Sequence, residues 1–186
     1  MLRGEKVLLR ARQDSDIPVL EAELHRDVVT WSRGDNRPWR PLPPESADSP
    51  FRVTDWRSDP VKFSVVELAS DELAGDATLW GVDPHNRSAH LGIALLPAFR
   101  GRGLGTDVVR VLCRYGFETR GLNRLQVDTL SDNQGMLLAA ARAGFTREGQ
   151  LRQSGWVNGA FVDEVVLGQL ASEWFGDGPA WAGEPG

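Results

Sequence analysis

The segment Arg100-Gly101-Arg102-Gly103-Leu104-Gly105-Thr106 places three alternating glycines beside two guanidinium groups. It lies between an apolar run, Ala89 to Leu96, and a stretch in which Leu104, Val108, Val111, Leu112 and Tyr115 recur at helical spacing. Glycines let a chain turn tightly and gather several backbone N–H groups at one point. The free amides of a following helix, and the positive end of its dipole, strengthen the pull on an anion. The chemistry that suits this segment is diphosphate binding, with Arg100 and Arg102 adding charge. An ordinary glycine-rich turn with two solvated arginines fits the same letters. Two other phosphate loops fail on spacing. A dinucleotide fingerprint counted from Gly101 or Gly103 meets Thr106 or Val108 where its third glycine belongs, and a P-loop needs a lysine that is absent here.

Around this segment the chain alternates strand and helix signals. Val7 to Ala11, Lys62 to Ala69, Gly75 to Val82, Ala89 to Leu96 and Leu125 to Leu130 read as strands. Asp14-Ser15-Asp16-Ile17-Pro18 reads as a helix start, with Ile17, Leu20, Leu24 and Val28 as its apolar stripe. Gly121 closes the helix that begins at Leu104, and Ser131-Asp132-Asn133 caps another that carries Met136, Leu137 and Ala140 and ends at Gly144. Gln150 to Val157 and Ala160 to Leu167 flank Asn158-Gly159, the dipeptide of a type I′ hairpin turn. The stretch from Ser32 to Pro60 holds Trp31's neighbours Trp39, Phe51 and Trp56, too many large aromatics for a structureless linker. The pattern predicts one mixed α/β domain over residues 1–170 and a peripheral tail over 171–186.

With 186 residues, 41% apolar and 25% charged, the chain has enough apolar mass for a real core. Cys113 is the only cysteine, so no internal disulfide forms, and without a Cys/His cluster no metal site is expected. The N-terminus runs straight into charge, and no apolar run approaches a membrane span, which predicts a cytoplasmic protein with no membrane contact. The net charge of −5 gives no global attraction to nucleic acid, and no direct nucleic-acid binding is expected. A homodimer stays open.

Several ordered motifs together resemble the GCN5-related N-acetyltransferases. Arg100-Gly101-Arg102-Gly103-Leu104-Gly105 is similar to that family's Gln/Arg-x-x-Gly-x-Gly/Ala loop, which holds the pyrophosphate of coenzyme A. Ala89-His90-Leu91-Gly92-Ile93-Ala94-Leu95-Leu96-Pro97 resembles its fourth strand, and Asn133, Ala143-Gly144-Phe145 and Glu148-Gly149 resemble its later signature. Leu8-Leu9-Arg10 with Asp16 is similar to the opening of the branch of ribosomal-protein acetyltransferases RimJ and RimL. The likeness spans roughly residues 5 to 170.

The resemblance implies a mostly antiparallel central sheet flanked by helices, with splayed fourth and fifth strands and a C-terminal hairpin. Pantetheine would enter the splay, with Leu95 and Leu96 offering backbone groups to it and an N–H to the thioester oxygen, where negative charge develops. Pro97 cannot donate, so that amide must precede it. Arg100, Gly101, Arg102, Gly103, Leu104, Gly105 and Thr106 would hold the diphosphate, and Asn133 would approach the pantetheine arm or serve as a helix cap.

The catalytic groups are harder to assign. Many relatives carry a tyrosine acid seven residues after the motif asparagine, but here that position is Ala140. Tyr115, the only tyrosine, falls on the helix after the loop and reads as packing. His90 occupies a position where relatives often carry glutamate, and imidazole suits base work, although a structural histidine fits too. Asp163 matches an acidic position of the RimJ/RimL-like branch, and it alternates with Glu164 so that only one of the two faces the cleft. Ser131 and Ser154 are further proton-donor candidates. Trp31, Trp39 and Trp56 would stand on the acceptor side, to stack on an amine-bearing group or to anchor loops. The function implied is acetyl transfer from acetyl-coenzyme A to a primary amine, foremost a protein N-terminal α-amine. Small-molecule amines, another acyl donor and a non-catalytic acyl-coenzyme-A-binding module are the alternatives.

Overall fold

A computed structural model describes residues 1–43, 46–53, 55, 57 and 59–176. Trp56 and residues 177–186 lie outside the described residues. The branched and apolar runs form strands β1 (Leu2–Arg3), β2 (Val7–Arg10), β3 (Val61–Glu67), β4 (Leu73–Asp83), β5 (Ser88–Leu95), β6 (Arg124–Leu130), β7 (Thr146–Val157) and β8 (Ala160–Leu170). They make one sheet in the order β1-β2-β3-β4-β5-β6-β8-β7, in which β5 and β6 alone run parallel. The helices are α1 (Asp16–Leu20), α2 (Val28–Gly34), α3 (Leu104–Arg114), α4 (Gln134–Arg142) and α5 (Ala171–Phe175). The mixed, mostly antiparallel sheet and its terminal hairpin are as the sequence predicts. Asn158 and Gly159 both take positive φ, +45° and +89°, as the type I′ turn requires.

Alternation along the strands gives the sheet two different faces. On one, Ala89, Leu91, Leu125, Val127, Val165 and Leu167 are buried, and α3 packs across β2 and β5 while α4 covers β6. On the other lie α1, joined to β3 by Asp16, and the aromatic loop before β3. Asp107 in the first turn of α3 accepts from the backbone N–H groups of Glu5, Lys6 and Val7 at 3.2, 2.7 and 3.0 Å. This ties the start of the chain to the helix behind the glycine loop.

One expectation gives way. The stripe from Ile17 to Val28 is not one helix: a π-type turn at Glu21–His25 inserts an extra residue after α1, and Asp27 caps a new helix by accepting from Thr30 N at 2.8 Å. The inserted residue rotates the pattern, so His25 is buried and Val28 is exposed. α5 buries Ala171 and leans Trp174 on Phe117, ring centroids 5.9 Å apart.

Candidate active site

Strands β5 and β6 pair only through Ser88–Arg124, Ala89–Leu125 and His90–Gln126. Beyond that point β5 stays on β4 through Leu95 and β6 stays on β8 through Leu130, so the two diverge and leave a V-shaped gap in the middle of the sheet. The ladder phase decides which groups face it. Arg87 O accepts from Asn123 and Arg124 on the β6 side, whereas Leu96 N donates to Ala74 O on the β4 side at 2.9 Å. Alternation between these two marks sends the backbone groups of Leu91, Ile93 and Leu95 toward β6. Past His90 those of Ile93 and Leu95 therefore meet the gap. This corrects one sequence expectation: the Leu96 N–H is spent inside the sheet, and the amide that faces the gap before Pro97 belongs to Leu95. The Leu95 carbonyl accepts from Arg100 Nε at 2.9 Å, which pins that side chain to the lip of the gap.

The glycine loop follows directly. Gly101 and Gly103 take φ of +75° and +78°, conformations that favour glycine, and Gly103 is the N-cap of α3. The free amides of α3 thus point out of the loop. Gly105 is under no such constraint: a Cβ there would make ordinary packing contacts, 3.6–3.9 Å from Ile93, Ala139 and Leu95. The loop's charge also differs from the expectation. Arg102 is turned onto Glu67, with Nη1 3.1 and 3.0 Å from the two carboxylate oxygens, and its charge is largely spent there. The cation that sequence reasoning missed is Lys6, whose Nζ donates to Arg102 O at 3.3 Å and stands 3.2 Å from where a Gly103 Cβ would be. Spacing offers no signal for it, because 96 residues separate it from Arg102.

His90 sits at the vertex of the V, on the face away from α3. Its Nδ1 lies 2.7 Å from Asp128 Oδ2, and its ring stacks on Trp80 at 4.3 Å between centroids. Asp163 does not join it. Alternation along β8 puts Asp163 on the face of Val165 and Leu167, opposite to that of Asp128, and its carbonyl pairs with Ser131 N beyond the end of β6. Its carboxylate is occupied within the hairpin, by Gln150 Nε2 and by Gln153 N at 2.8 Å. The structure therefore separates the two residues that the sequence nominates as catalytic.

Asn133 holds the start of α4 beside the gap, accepting from Met136 N at 3.2 Å and donating to Thr129 Oγ1 at 3.0 Å. Ala140 is fully buried, so that position is closed as well as lacking a hydroxyl. Tyr115 packs edge-on to Phe63 at 5.5 Å. Ser154 donates to Glu164 at 2.7 Å out on the hairpin. Trp31 and Trp39 bracket His25 and donate their indole N–H groups to Arg37 O and His25 O at 2.9 and 2.8 Å, which makes them loop anchors.

The face that carries His90 also holds a charged cluster. Ser64, Asp76 and Ala94 stand side by side across β3, β4 and β5, and Arg12 reaches Ser64 Oγ at 3.2 Å and Asp76 Oδ1. Burial pushes the Asp76 carboxyl up, against the opposing pull of Arg12 and Lys62, and burial lowers the Lys62 ammonium. Among the described residues no group of three His, Cys, Asp or Glu side chains is placed to hold a metal. No helix among them is long and apolar enough to cross a membrane.

Known proteins place this geometry. Residues 6–146 match the family model described as the acetyltransferase (GNAT) domain. The protein named "Putative ribosomal N-acetyltransferase YdaF" of Bacillus subtilis (strain 168) is 34% identical over 140 residues, covering 72% of this chain and 76% of that one. A crystal structure titled "Probable acetyltransferase" superposes with a TM-score of 0.75 at 27% identity, over 91% of this chain and 96% of that chain. Spermidine N-acetyltransferase from Vibrio cholerae, crystallised with CoA and spermine, shares the fold with a TM-score of 0.74 at 20% identity, over 91% and 98% of the two chains.

Proposed function

This chain belongs to the GNAT acetyltransferase family and is an acetyl-coenzyme-A-dependent N-acetyltransferase; we propose that the amine it acetylates is a protein N-terminal α-amine, by direct attack on the thioester. The observation that carries the reading is the gap between β5 and β6, lined by backbone of Ile93 and Leu95 that β6 does not pair and ending at the glycine loop before α3. The relative named for ribosomal N-acetylation supports the choice of acceptor.

In this reading the pantetheine arm takes the place of a missing strand neighbour along β5. The Leu95 N–H stands ready for the negative charge that grows on the thioester oxygen. The amides of Gly101 to Thr106, with Arg100 and Lys6, hold the diphosphate. Asn133 keeps the far wall in place from its cap position. His90 is the general base, and positioning of the amine supplies much of the remaining rate. Residues 1–170, with α5 docked on them, form the one catalytic domain.

The test is release of free thiol from acetyl-coenzyme A in the presence of three acceptors: a peptide with a free α-amine, the same peptide with that amine blocked, and spermidine. Turnover that needs the free α-amine is expected. Turnover with spermidine alone would move the acceptor to small amines. Tight coenzyme A binding with no turnover on any amine would sink the enzymatic reading of this site.

A further inference from the structure

We propose that Asp128 is the positioning residue of the reaction, fixing the proton of His90 on Nδ1 so that Nε2 keeps its lone pair. The inference rests on the reading of His90 as the base.

The ring has few alternatives. Nδ1 is 2.7 Å from Asp128 Oδ2, a distance suited to a charge-assisted bond from N–H to carboxylate. Asp128 is itself held: Oδ1 accepts from Gln126 Nε2 at 2.9 Å, and Gln126 Oε1 accepts from Arg124 Nη2 at 3.1 Å. Trp80 covers one face of the imidazole, its plane inclined by 24°. A Cβ at Gly81 would approach His90 Cδ2 to 3.2 Å, so glycine at that position leaves the ring its place. Burial opposes charge on Asp128, yet the bonds from His90 and Gln126 outweigh it and keep the carboxyl below the ordinary carboxylate range. An ionised carboxylate accepts only, so the hydrogen in the contact belongs to Nδ1.

The ring is also reachable: the His90 side chain keeps 29% of its exposure. The next residue on the same face, Gly92, adds no side chain of its own, and Thr78 Oγ1 fills the space 2.6 Å from where its Cβ would be. In the step this serves, the amine nitrogen bonds to the thioester carbon as the carbon–sulfur bond breaks. Nε2 takes the proton the nitrogen loses, the leaving thiolate takes one from water, and the imidazolium returns its own to solvent.

Asp128→Asn makes a sharp test because Gln126 orients the new side chain. With its oxygen still accepting from Gln126, the amide N–H₂ faces His90 Nδ1, which must then accept, and the ring proton moves to Nε2. Imidazole nitrogen shifts of the cofactor-free protein, with His90 assigned by comparison with His90→Gln, read this directly. The expected result is Nδ1–H in the wild type and Nε2–H in Asp128→Asn, with kcat falling about 10²-fold, the lower end of a general-base effect. Coenzyme A affinity should hold within about twofold, since the diphosphate loop lies at the other end of β5. A wild-type ring protonated on Nε2, a variant with an unmoved proton, or a moved proton with unchanged kcat would each overturn the proposal. The wild-type measurement needs no variant to fold. A wild type that turns over no amine would defeat the functional reading, and the proton's place on the ring would still be read independently.

Discussion

Arg10 closes a two-armed ion pair on Asp16, 2.7 and 2.8 Å from its two carboxylate oxygens, across the turn that leads from β2 into α1. Ser64 Oγ and Gln13 N add bonds at 2.6 and 2.9 Å. Burial works against the charge on Asp16, but these partners outweigh it and hold the carboxyl at about 2, against an ordinary 3.8. The folded-state value lies below the unfolded one, so the stabilisation is complete above roughly pH 4 and is lost as the pH falls toward about 2. The shift corresponds to about 2 kcal/mol. Urea melts of wild type and Asp16→Asn should differ by about 2–3 kcal/mol near neutral pH, where the variant leaves Arg10 unpaired, and converge in acid. A gap that stays constant with pH would refute this account.

Gly103→Val should weaken coenzyme A binding at least tenfold, because a branched residue at φ +78° carries a conformational cost of about 1–2 kcal/mol and reshapes the loop. Calorimetry on the folded variant measures it. Gly105→Ala, whose Cβ would make ordinary packing contacts, should bind like wild type and melt no lower. Equal losses in the two variants would mean that the loop acts only through packing.

Lys6→Met should raise the dissociation constant of coenzyme A roughly threefold to tenfold at low salt, and less at high salt, as expected of an exposed charge contact. Arg102→Ala should cost less, because its guanidinium is already neutralised by Glu67. The reverse order would show that Arg102 leaves Glu67 when the anion binds.

Cys113 is fully buried in α3 and donates to Gln169 Oε1 at 3.3 Å, and burial pushes its thiol far up. A thiol held so firmly in its neutral form is no nucleophile. Cys113→Ala should keep wild-type turnover on any working acceptor. Lost turnover in a folded variant, with acetylated Cys113 in mass spectra of the wild type, would replace direct transfer by a covalent route.

Local rules carry the legible parts of this molecule. The Asn158-Gly159 turn, the glycine loop before α3 and the cap at Asn133 each depend on neighbours within a few residues, and each stands where the spacing predicts. The parts that escape the sequence depend on pairing across the sheet. That Leu95 and not Leu96 faces the gap follows from the phase of the β4–β5 ladder, which no composition reveals. Asp128 meets His90 across 38 residues because β5 and β6 are parallel in that register. Asp163 looks catalytic until strand alternation turns it to the other face. The single residue added at Glu21–His25 leaves an apolar period that reads as one helix, while turning Val28 out and bringing His25 and Trp31 into the core.

The grip of Asp107 on Glu5, Lys6 and Val7 spans 100 to 102 positions. Contacts so distant along the chain form late, since a long loop must close before they can hold. On the ribosome the first strands emerge long before their partner carboxylate does. This tie between the first strands and the helix behind the anion loop therefore closes only after α3 has cleared the exit tunnel and met the beginning of the chain. A polypeptide stalled short of that point would carry the glycines of the loop without the carboxylate that fastens them to residues 5–7.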